Sequence, residues 1–276
     1  MGSKLFRVAH ALAFLALLVA AAAATAGAPG AVVLLGAMDA ETQPLLAALS
    51  DRGALPVLGI PCVTGALAGR RAVVAVTGVG KVNAAMTTAL LLERFSPAAV
   101  IFTGVAGGLD PDLQPGDVVI GERLVQHDLV RDTEQGRVPR TVRNPVNRSE
   151  NPIVLESSPA LLALAREAAS RLELERVAEG SRPPRVLFGT IATGDSFVAS
   201  SAKKTELRGE LGAHAVEMEG AAVAQVCHQH GVPFLVVRGL SDRAAGDAPA
   251  EARRNLGVAA RNAAAVALDV ARHLGR

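Results

Sequence analysis

The sequence predicts a single α/β domain built on a doubly wound sheet. Apolar runs of strand length alternate along the chain with longer segments of helical period. Glycines follow three of the early strands, at Gly36, Gly78 and Gly104, so three glycine turns are expected to open on one edge of the sheet. The length of 276 residues suits one large core.

The predicted elements begin after an amino-terminal segment and alternate in type. Short apolar runs ending in glycine or a polar residue indicate strands, and longer runs with apolar residues three and four apart indicate helices. The first half of the chain is expected to contain strand 31–35, helix 42–51, strand 71–76, helix 82–95, strand 98–103 and strand 117–122.

The second half begins with residues 131–158, which have no clean period and many prolines, asparagines and charges. This composition predicts a long surface loop. The expected elements that follow are helix 159–172, strand 186–193, helix 201–211, strand 213–218, buried helix 220–230, strand 234–240 and an alanine-rich helix 250–274.

The first 26 residues predict an exported protein. Lys4 and Arg7 precede a largely apolar, alanine-rich stretch, and Ala24-Thr25-Ala26 is a small-residue cleavage site, as in secretory signal peptides. An uncleaved membrane anchor is the alternative, since the stretch approaches the shortest membrane span. Cleavage is favoured because alanine is weakly hydrophobic and His10 interrupts the run. We expect a signal peptide at 1–26, a mature domain at 27–276, a periplasmic location and no membrane contact after cleavage.

Charge and cysteine content narrow the function classes. Removing 26 of 276 residues leaves 250 and takes away Lys4 and Arg7 but no acid, so the net charge of +2 falls to zero. The basic pI therefore gives no reason to expect a nucleic-acid partner. Cys62 and Cys227 lie in apolar stretches, and buried free thiols are favoured over the disulfide that export would permit.

Three short motifs suggest chemistry that their details do not support. The turn 77–81 resembles a phosphate loop, but Ala75 and Val82 stand where a Walker loop needs glycine and a hydroxyl residue. A Rossmann fingerprint fails there too. Cys227, His228 and His230 could hold a metal, although histidines favoured by a helix carboxyl terminus explain them better. His127 and Asp128 are a possible acid/base pair, but adjacent residues of a strand point to opposite faces of the sheet.

Acidic residues at predicted strand ends are the stronger signal. Glu41 follows the first strand, Glu219 a later one, and Asp242 another. Carboxylates that meet at one sheet edge acquire shifted pKa values and can divide acid and base roles. Phe197 lies in a polar turn after a strand, where it could be a stacking platform for a flat ligand or be tucked into the core. No nucleophile elbow or activated cysteine is present, so covalent hydrolase chemistry has no candidate.

Taken together, these residues resemble the nucleoside phosphorylase/nucleosidase superfamily, and within it the 5′-methylthioadenosine/S-adenosylhomocysteine nucleosidases. The resemblance covers most of residues 31 to 245. It is carried by the stretches Gly36–Glu41, Thr77–Val82, Thr103–Leu109, Gly116–Val119, Gly194–Phe197, Val216–Glu219 and Val237–Asp242. It implies a single-domain, three-layer α/β/α fold with a central mixed, partly barrel-like sheet, a homodimer, and no metal or organic cofactor.

The resemblance also implies roles in breaking the N-glycosidic bond of an adenosine-type nucleoside. Asp242, supported by Ser241, would protonate N7 of the purine. Glu41 would deprotonate the attacking water, and Arg238 would help to position it. Glu219 would bind the ribose hydroxyls and stabilise positive charge on the sugar.

Further substrate contacts follow from the same stretches. Met218 would pack on the sugar, Phe197 would stack on adenine, and the Val198 backbone would read the edge of the base. Other residues expected around the nucleoside are Met38, Val79, Ala106, Gly107 and Glu217.

Water is favoured over phosphate as the nucleophile, because the first glycine turn carries Asp39 and Glu41 where phosphorylases commonly have an arginine. The expected substrates are 5′-methylthioadenosine, S-adenosylhomocysteine or a related 5′-substituted adenosine. A phosphorylase and a non-catalytic periplasmic nucleoside-binding protein are the alternatives. Two departures from the family affect the water and the 5′ pocket: Val105 replaces a common serine, and 243–254 lacks an aromatic residue.

Overall fold

A ten-stranded mixed sheet forms the centre of the protein in the computed structural model, which describes residues 30–275. The strands are β1 (Val32–Gly36), β2 (Ser50–Ala54), β3 (Cys62–Leu67), β4 (Arg70–Val76), β5 (Ala99–Gly108), β6 (Val118–Gln126), β7 (Val130–Thr133), β8 (Gly136–Pro139), β9 (Val154–Glu156), β10 (Val186–Thr193), β11 (Ala213–Glu217) and β12 (Phe234–Asp242). The helices are α1 (Asp39–Ala47), α2 (Lys81–Phe95), α3 (Pro159–Arg171), α4 (Ser201–Leu211), α5 (Gly220–His230) and α6 (Ala248–His273).

Helices cover both faces of the sheet, because successive residues of a buried strand point to opposite faces. On one face, Val33 and Leu35 of β1 belong to a core that includes apolar residues of α2 and α5. On the other face, Val32 and Leu34 belong to a core that includes residues of α1, α3 and α6. This is the predicted three-layer α/β/α arrangement.

Five strands close into a barrel-like ring. Neighbouring strands are paired in the order β11, β10, β6, β12 and β5, and β11 pairs with β5 to complete the circuit. Gly107 near the end of β5 is the register partner of Asp242 on one side and of Val216 on the other. Two of the strands expected to carry acids are thus brought to the same place, which confirms the predicted mixed, partly barrel-like sheet.

The first helix and the region after it differ from the prediction. α1 begins three residues earlier than the predicted start at 42, because Glu41 at its third position accepts hydrogen bonds from the backbone of the preceding turn. It ends at Ala47, and residues 50–54 form an exposed strand paired with β3. Both strands lack a strong apolar alternation, which is why the sequence pattern missed them.

Gly104 was predicted to form a turn after a strand, but it lies inside β5, which continues to Gly108. A Cβ at position 104 would lie 1.9 Å from Nη1 of Arg238 and 2.7 Å from Oε1 of Glu41. The glycine therefore serves close approach of charged side chains to the strand backbone. β12 likewise runs two residues beyond its predicted end and contains Asp242 itself.

The predicted surface loop 131–158 contains secondary structure. β7 and β8 form an antiparallel hairpin, and β9 pairs with β6. These strands are three or four residues long and mostly exposed, so backbone pairing defines them rather than an apolar pattern.

Residues from Ala31 onward form one compact unit. The predicted signal peptide and its cleavage site lie outside the described residues. Cys62 and Cys227 are both buried and free, as expected. Among residues 30–275, no helix combines the length and apolar character needed to cross a membrane.

Candidate active site

An open cavity of about 320 Å³ lies where the carboxyl ends of β1, β5, β11 and β12 meet. Its volume falls in the range of small-molecule sites. Three carboxylates, Glu41, Glu219 and Asp242, face it among apolar residues. The remaining lining residues are Ala37, Met38, Val79, Val105, Ala106, Gly107, Phe197, Val216, Met218, Ser241, Ala252, Arg253 and Leu256.

Glu41 is held from three directions by backbone amides. Its Oε2 accepts hydrogen bonds from the N–H groups of Ala37 at 2.6 Å and Met38 at 3.0 Å, and its Oε1 accepts one from Val105 at 2.9 Å. Burial raises the pKa of Glu41, although Arg238 and these amides act in the opposite direction. A fixed, buried carboxylate at the cavity wall has the properties of a general base.

Arg238 lies behind the cavity and is fully buried, stacked on the Phe102 ring at 4.2 Å. Its guanidinium pairs with Glu217 and reaches Glu219 at 3.4 Å. Burial alone would lower the pKa of Arg238, but Glu217, Glu219 and Glu41 raise it above its usual value, so the arginine stays charged. One buried guanidinium thus interacts electrostatically with three carboxylates, Glu41, Glu217 and Glu219.

Glu219 is the cavity-facing member of this charged network. Its Oε1 accepts a 2.8 Å hydrogen bond from the Gly80 backbone N–H, which links it to the turn before α2. Burial, opposed by Arg238 and reinforced by Glu217, raises the pKa of Glu219 to about 7. Its charge can therefore change near neutral pH.

Glu217 is turned away from the cavity and organises the turn into α5. Its carboxylate accepts hydrogen bonds from the backbone N–H groups of Glu219 and Gly220 and from the Thr193 hydroxyl. Together with its ion pair to Arg238, this fixes the position of Glu219. Glu217 is thus a supporting residue of the cavity wall.

Asp242 has neutral hydrogen-bond partners. Its Oδ2 accepts a hydrogen bond from the Ser241 hydroxyl at 2.8 Å, and its Oδ1 accepts one from the Ala244 N–H at 2.8 Å. Burial raises the pKa of Asp242. A carboxyl group that holds its proton beside an apolar cavity can act as a general acid.

Phe197 lies in the loop between β10 and α4 and is 54 % exposed at the edge of the cavity. It is not tucked into the core. A polar cluster, Lys81, Asp128 and Asp195, fastens this loop: the Lys81 ammonium donates to Asp128 at 2.6 Å, the Lys81 N–H to Asp195 at 2.7 Å, and the Asp195 N–H to Asp128 at 2.9 Å. The pair at 127–128 thus contributes Asp128 to loop support.

Most residues singled out by the sequence meet at this cavity. Arg238 and Glu217 stand directly behind its wall, and Val198 is buried in a small neighbouring core. The sequence interpretation did not name Ala252, Arg253 and Leu256, which line the cavity from α6. The resemblance linked residues 243–254 to the 5′ pocket only through the aromatic residue that this segment lacks, and the regular spacing of α6 gave no signal for individual residues.

The rejected metal motif does not converge. Cys227 is buried in the core, where burial raises its thiol pKa, while His228 and His230 are exposed. Within the described part of the chain, no group of three His, Cys, Asp or Glu side chains is arranged to hold a metal ion.

Comparison with known proteins links this cavity to a family. The family model described as Phosphorylase superfamily matches residues 31–272. A 5′-methylthioadenosine/S-adenosylhomocysteine nucleosidase of Mycobacterium bovis is 37% identical over 243 residues, which cover 84% of this chain and 93% of the relative.

Solved structures agree. The Neisseria meningitidis 5′-methylthioadenosine/S-adenosylhomocysteine nucleosidase in complex with methylthio-immucillin-A has a TM-score of 0.77 and 35% identity, covering 89% of this chain and all of the other. The futalosine hydrolase of Helicobacter pylori has a TM-score of 0.74 and 33% identity, covering 87% of this chain and 97% of the other.

Proposed function

The chain belongs to the 5′-methylthioadenosine/S-adenosylhomocysteine nucleosidase family of the phosphorylase superfamily, and we propose that it hydrolyses the N-glycosidic bond of 5′-substituted adenosines to release adenine. One observation carries the proposal. Three buried carboxylates with different partners face one cavity of nucleoside size, so each can serve a different part of the substrate.

We assign the protonation of the adenine ring to Asp242. A purine leaves readily only when its developing negative charge is neutralised, so an acid must deliver a proton to N7. Burial keeps the proton on Asp242 at higher pH than usual, and Ser241 orients the carboxyl group. Phe197 would stack on the adenine ring from the cavity edge.

We assign ribose binding to Glu219 and activation of the water to Glu41. Glu219 would accept hydrogen bonds from the ribose hydroxyls and stabilise the oxocarbenium-like sugar as the bond breaks. Glu41 would take a proton from the water that attacks C1′, because its carboxylate is fixed at the cavity wall by three amides. Arg238 would act through its charge and through the position of Glu219.

Water, rather than phosphate, is the proposed nucleophile. Arg238 is already neutralised by buried carboxylates, and Glu41 stands where the nucleophile would bind, so a dianion would be repelled there. The test is adenine release from 5′-methylthioadenosine, S-adenosylhomocysteine and adenosine with and without phosphate. Release without phosphate supports the proposal, whereas strict phosphate dependence identifies a phosphorylase.

The same assay separates an enzyme from a binding protein. Calorimetric binding of these nucleosides with no adenine formed over hours would favour the non-catalytic alternative. We expect turnover, because each group needed for acid, base and sugar chemistry lines the cavity.

We further propose a homodimer. Val82 and Met86 lie four residues apart on one side of α2 and are 78% and 51% exposed, a pattern that favours a protein contact. The double substitution V82E/M86E should lower the mass measured by sedimentation, while V146E, at an exposed valine elsewhere, should not. A wild-type monomer would overturn this proposal.

Export to the periplasm is the proposed location, and it rests on the charged, apolar and small-residue pattern of positions 1–26. Fractionation of a bacterium that expresses the full chain tests it. Recovery in the periplasm with a new amino terminus after Ala26 is the expected result, and an uncut cytoplasmic chain would contradict it.

A further inference from the structure

The α6 wall of the cavity carries a charge that the proposed reaction does not use. Ala252 and Leu256 lie four residues apart on one side of α6, and Arg253 lies next to them around the helix. α6 packs against β5, β12 and α1, which carry other parts of the cavity wall. Of the described residues that line the cavity, Arg253 is the one cation.

The Arg253 guanidinium has no ion pair or hydrogen bond within residues 30–275. Two other arginines of this region are engaged: Arg243, which precedes α6, pairs with Glu251 at 2.6 Å, and Arg261, in the middle of α6, pairs with Glu175 at 2.7 Å. None of the three cavity carboxylates forms an ion pair with Arg253 in the described structure. An unpaired guanidinium at a cavity is free to bind an anionic group of a ligand.

The position of Arg253 indicates which part of a substrate it would meet. The proposed chemistry assigns adenine to Phe197 and Asp242, and the ribose hydroxyls to Glu219. The α6 wall is left for the remaining substituent of the nucleoside, the group on the 5′ carbon. Ala252 leaves space there, because its side chain is a single methyl group.

We propose that Arg253 binds a carboxylate on the 5′ substituent, so that this protein selects 5′-substituted adenosines that end in a carboxylate over those with an uncharged alkylthio group. This inference rests on the proposed function of the cavity. Guanidinium and carboxylate form two parallel charge-assisted hydrogen bonds, whereas an alkylthio group offers arginine nothing to bind.

The test compares three nucleosides. S-adenosylhomocysteine carries the carboxylate, its carboxyl methyl ester keeps the ammonium group but lacks that charge, and 5′-methylthioadenosine has neither. The quantity measured is kcat/KM for each, and the selectivity is the ratio of S-adenosylhomocysteine to each of the two comparators that lack the carboxylate. The variants are Arg253→Met and Arg254→Met, the second an exposed arginine that does not line the cavity.

Arg253→Met should lower both selectivity ratios by about fivefold, because the pair is partly exposed to solvent. Arg254→Met should leave them unchanged, and added salt should weaken the wild-type preference. Equal ratios in wild type and Arg253→Met, or equal changes in the two variants, would overturn the proposal. Phosphate inhibition that disappears in Arg253→Met without a change of selectivity would indicate a phosphate site instead.

Failure of the proposed hydrolysis gives a different result. If the wild type releases no adenine, the dissociation constants of the same three ligands are measured by calorimetry. A carboxylate preference that Arg253→Met removes would sustain the arginine assignment without catalysis. Equal affinities of the wild type for the three ligands, or no binding of any of them, would overturn the assignment of Arg253 as a carboxylate-binding residue.

Discussion

The proposed ribose side and the proposed adenine side of the cavity hold their carboxylates by different means. On the ribose side, Glu41, Glu217 and Glu219 surround one buried cation, Arg238. On the adenine side, Asp242 is held by the Ser241 hydroxyl and one backbone N–H. The charged arrangement suits groups that must be ionised to accept hydrogen bonds and protons. The neutral arrangement suits a group that must keep a proton until it is needed.

The largest effect is expected from removing the shared cation. Arg238→Met should lower the free energy of unfolding by about 3–5 kcal/mol, because it leaves several carboxylates buried without a counter-charge. Urea unfolding measures this loss. Arg261→Met, which breaks the exposed pair with Glu175, is the matched control and should cost less than about 1 kcal/mol. Similar losses in the two variants would show that the buried network has no special electrostatic role.

The next largest effects are expected from Glu41→Gln and Asp242→Asn, which should both lower activity but differ in their effect on stability. Each should lower kcat for adenine release by about two orders of magnitude, the usual contribution of a general acid or base. Glu41→Gln should also cost about 1–3 kcal/mol of stability, because its amide NH₂ would face a backbone N–H. Asp242→Asn should melt near the wild-type temperature, since its carbonyl oxygen can still accept from Ala244.

The controls for this pair are Glu93→Gln and Asp112→Asn, which alter exposed acids outside the cavity. Both should keep wild-type kcat. If Asp242→Asn or Glu41→Gln also kept it, that residue would be removed from the mechanism. An equal loss of stability in Glu41→Gln and Asp242→Asn would contradict the conclusion that the two carboxylates are held by different means.

The pH dependence should also differ between the sides. Glu219 has a pKa of about 7, so the ribose should bind more tightly, and KM should fall, as rising pH ionises it. The raised pKa gives the opposite sign for folding: the contribution of Glu219 to stability is full below about pH 4.5 and is lost as the pH rises through 7.

In the proposed mechanism Asp242 must be protonated to act, so kcat should fall at a pH above the usual titration range of aspartate. Profiles of KM and kcat on both sides of pH 7 measure the two effects separately. Glu219→Gln should remove the KM step and leave the fall in kcat. A KM step that persists in this variant would assign the titration to another group.

The smallest effect is expected in the loop that presents Phe197. Lys81→Met breaks the contacts of the Lys81 ammonium with Asp128 and Gln126 and should raise KM about threefold to fivefold, with kcat little changed. Lys81→Arg should restore part of the affinity. Lys203→Met, which removes an exposed pair with Glu206, is the control. A fall in kcat with constant KM would show that Lys81 acts on the chemistry rather than on the loop.

Local patterns predicted the main elements and the acids at their ends. The buried strands around Leu34 and Val236 and the helix at 220–230 are recognisable because each has an apolar period of its own. Asp242 and Glu219 follow such runs directly, so their place at the cavity could be expected. Short exposed strands such as β2 and β8 could not, since their pairing depends on partners rather than on their own residues.

The sequence by itself determined the order of elements, the two-sided burial of the central strands and the set of acids, because each depends on residues within a few positions of one another. The tertiary structure decided that Gly107 lies between β11 and β12, that Arg238 is buried among three acids against Gly104, and that Arg253 faces the cavity. These outcomes depend on strand register and on helix packing between distant segments. A one-residue shift in the register of β12 would turn Arg238 to the opposite face of the sheet, and the position of Arg253 depends on how α6 packs.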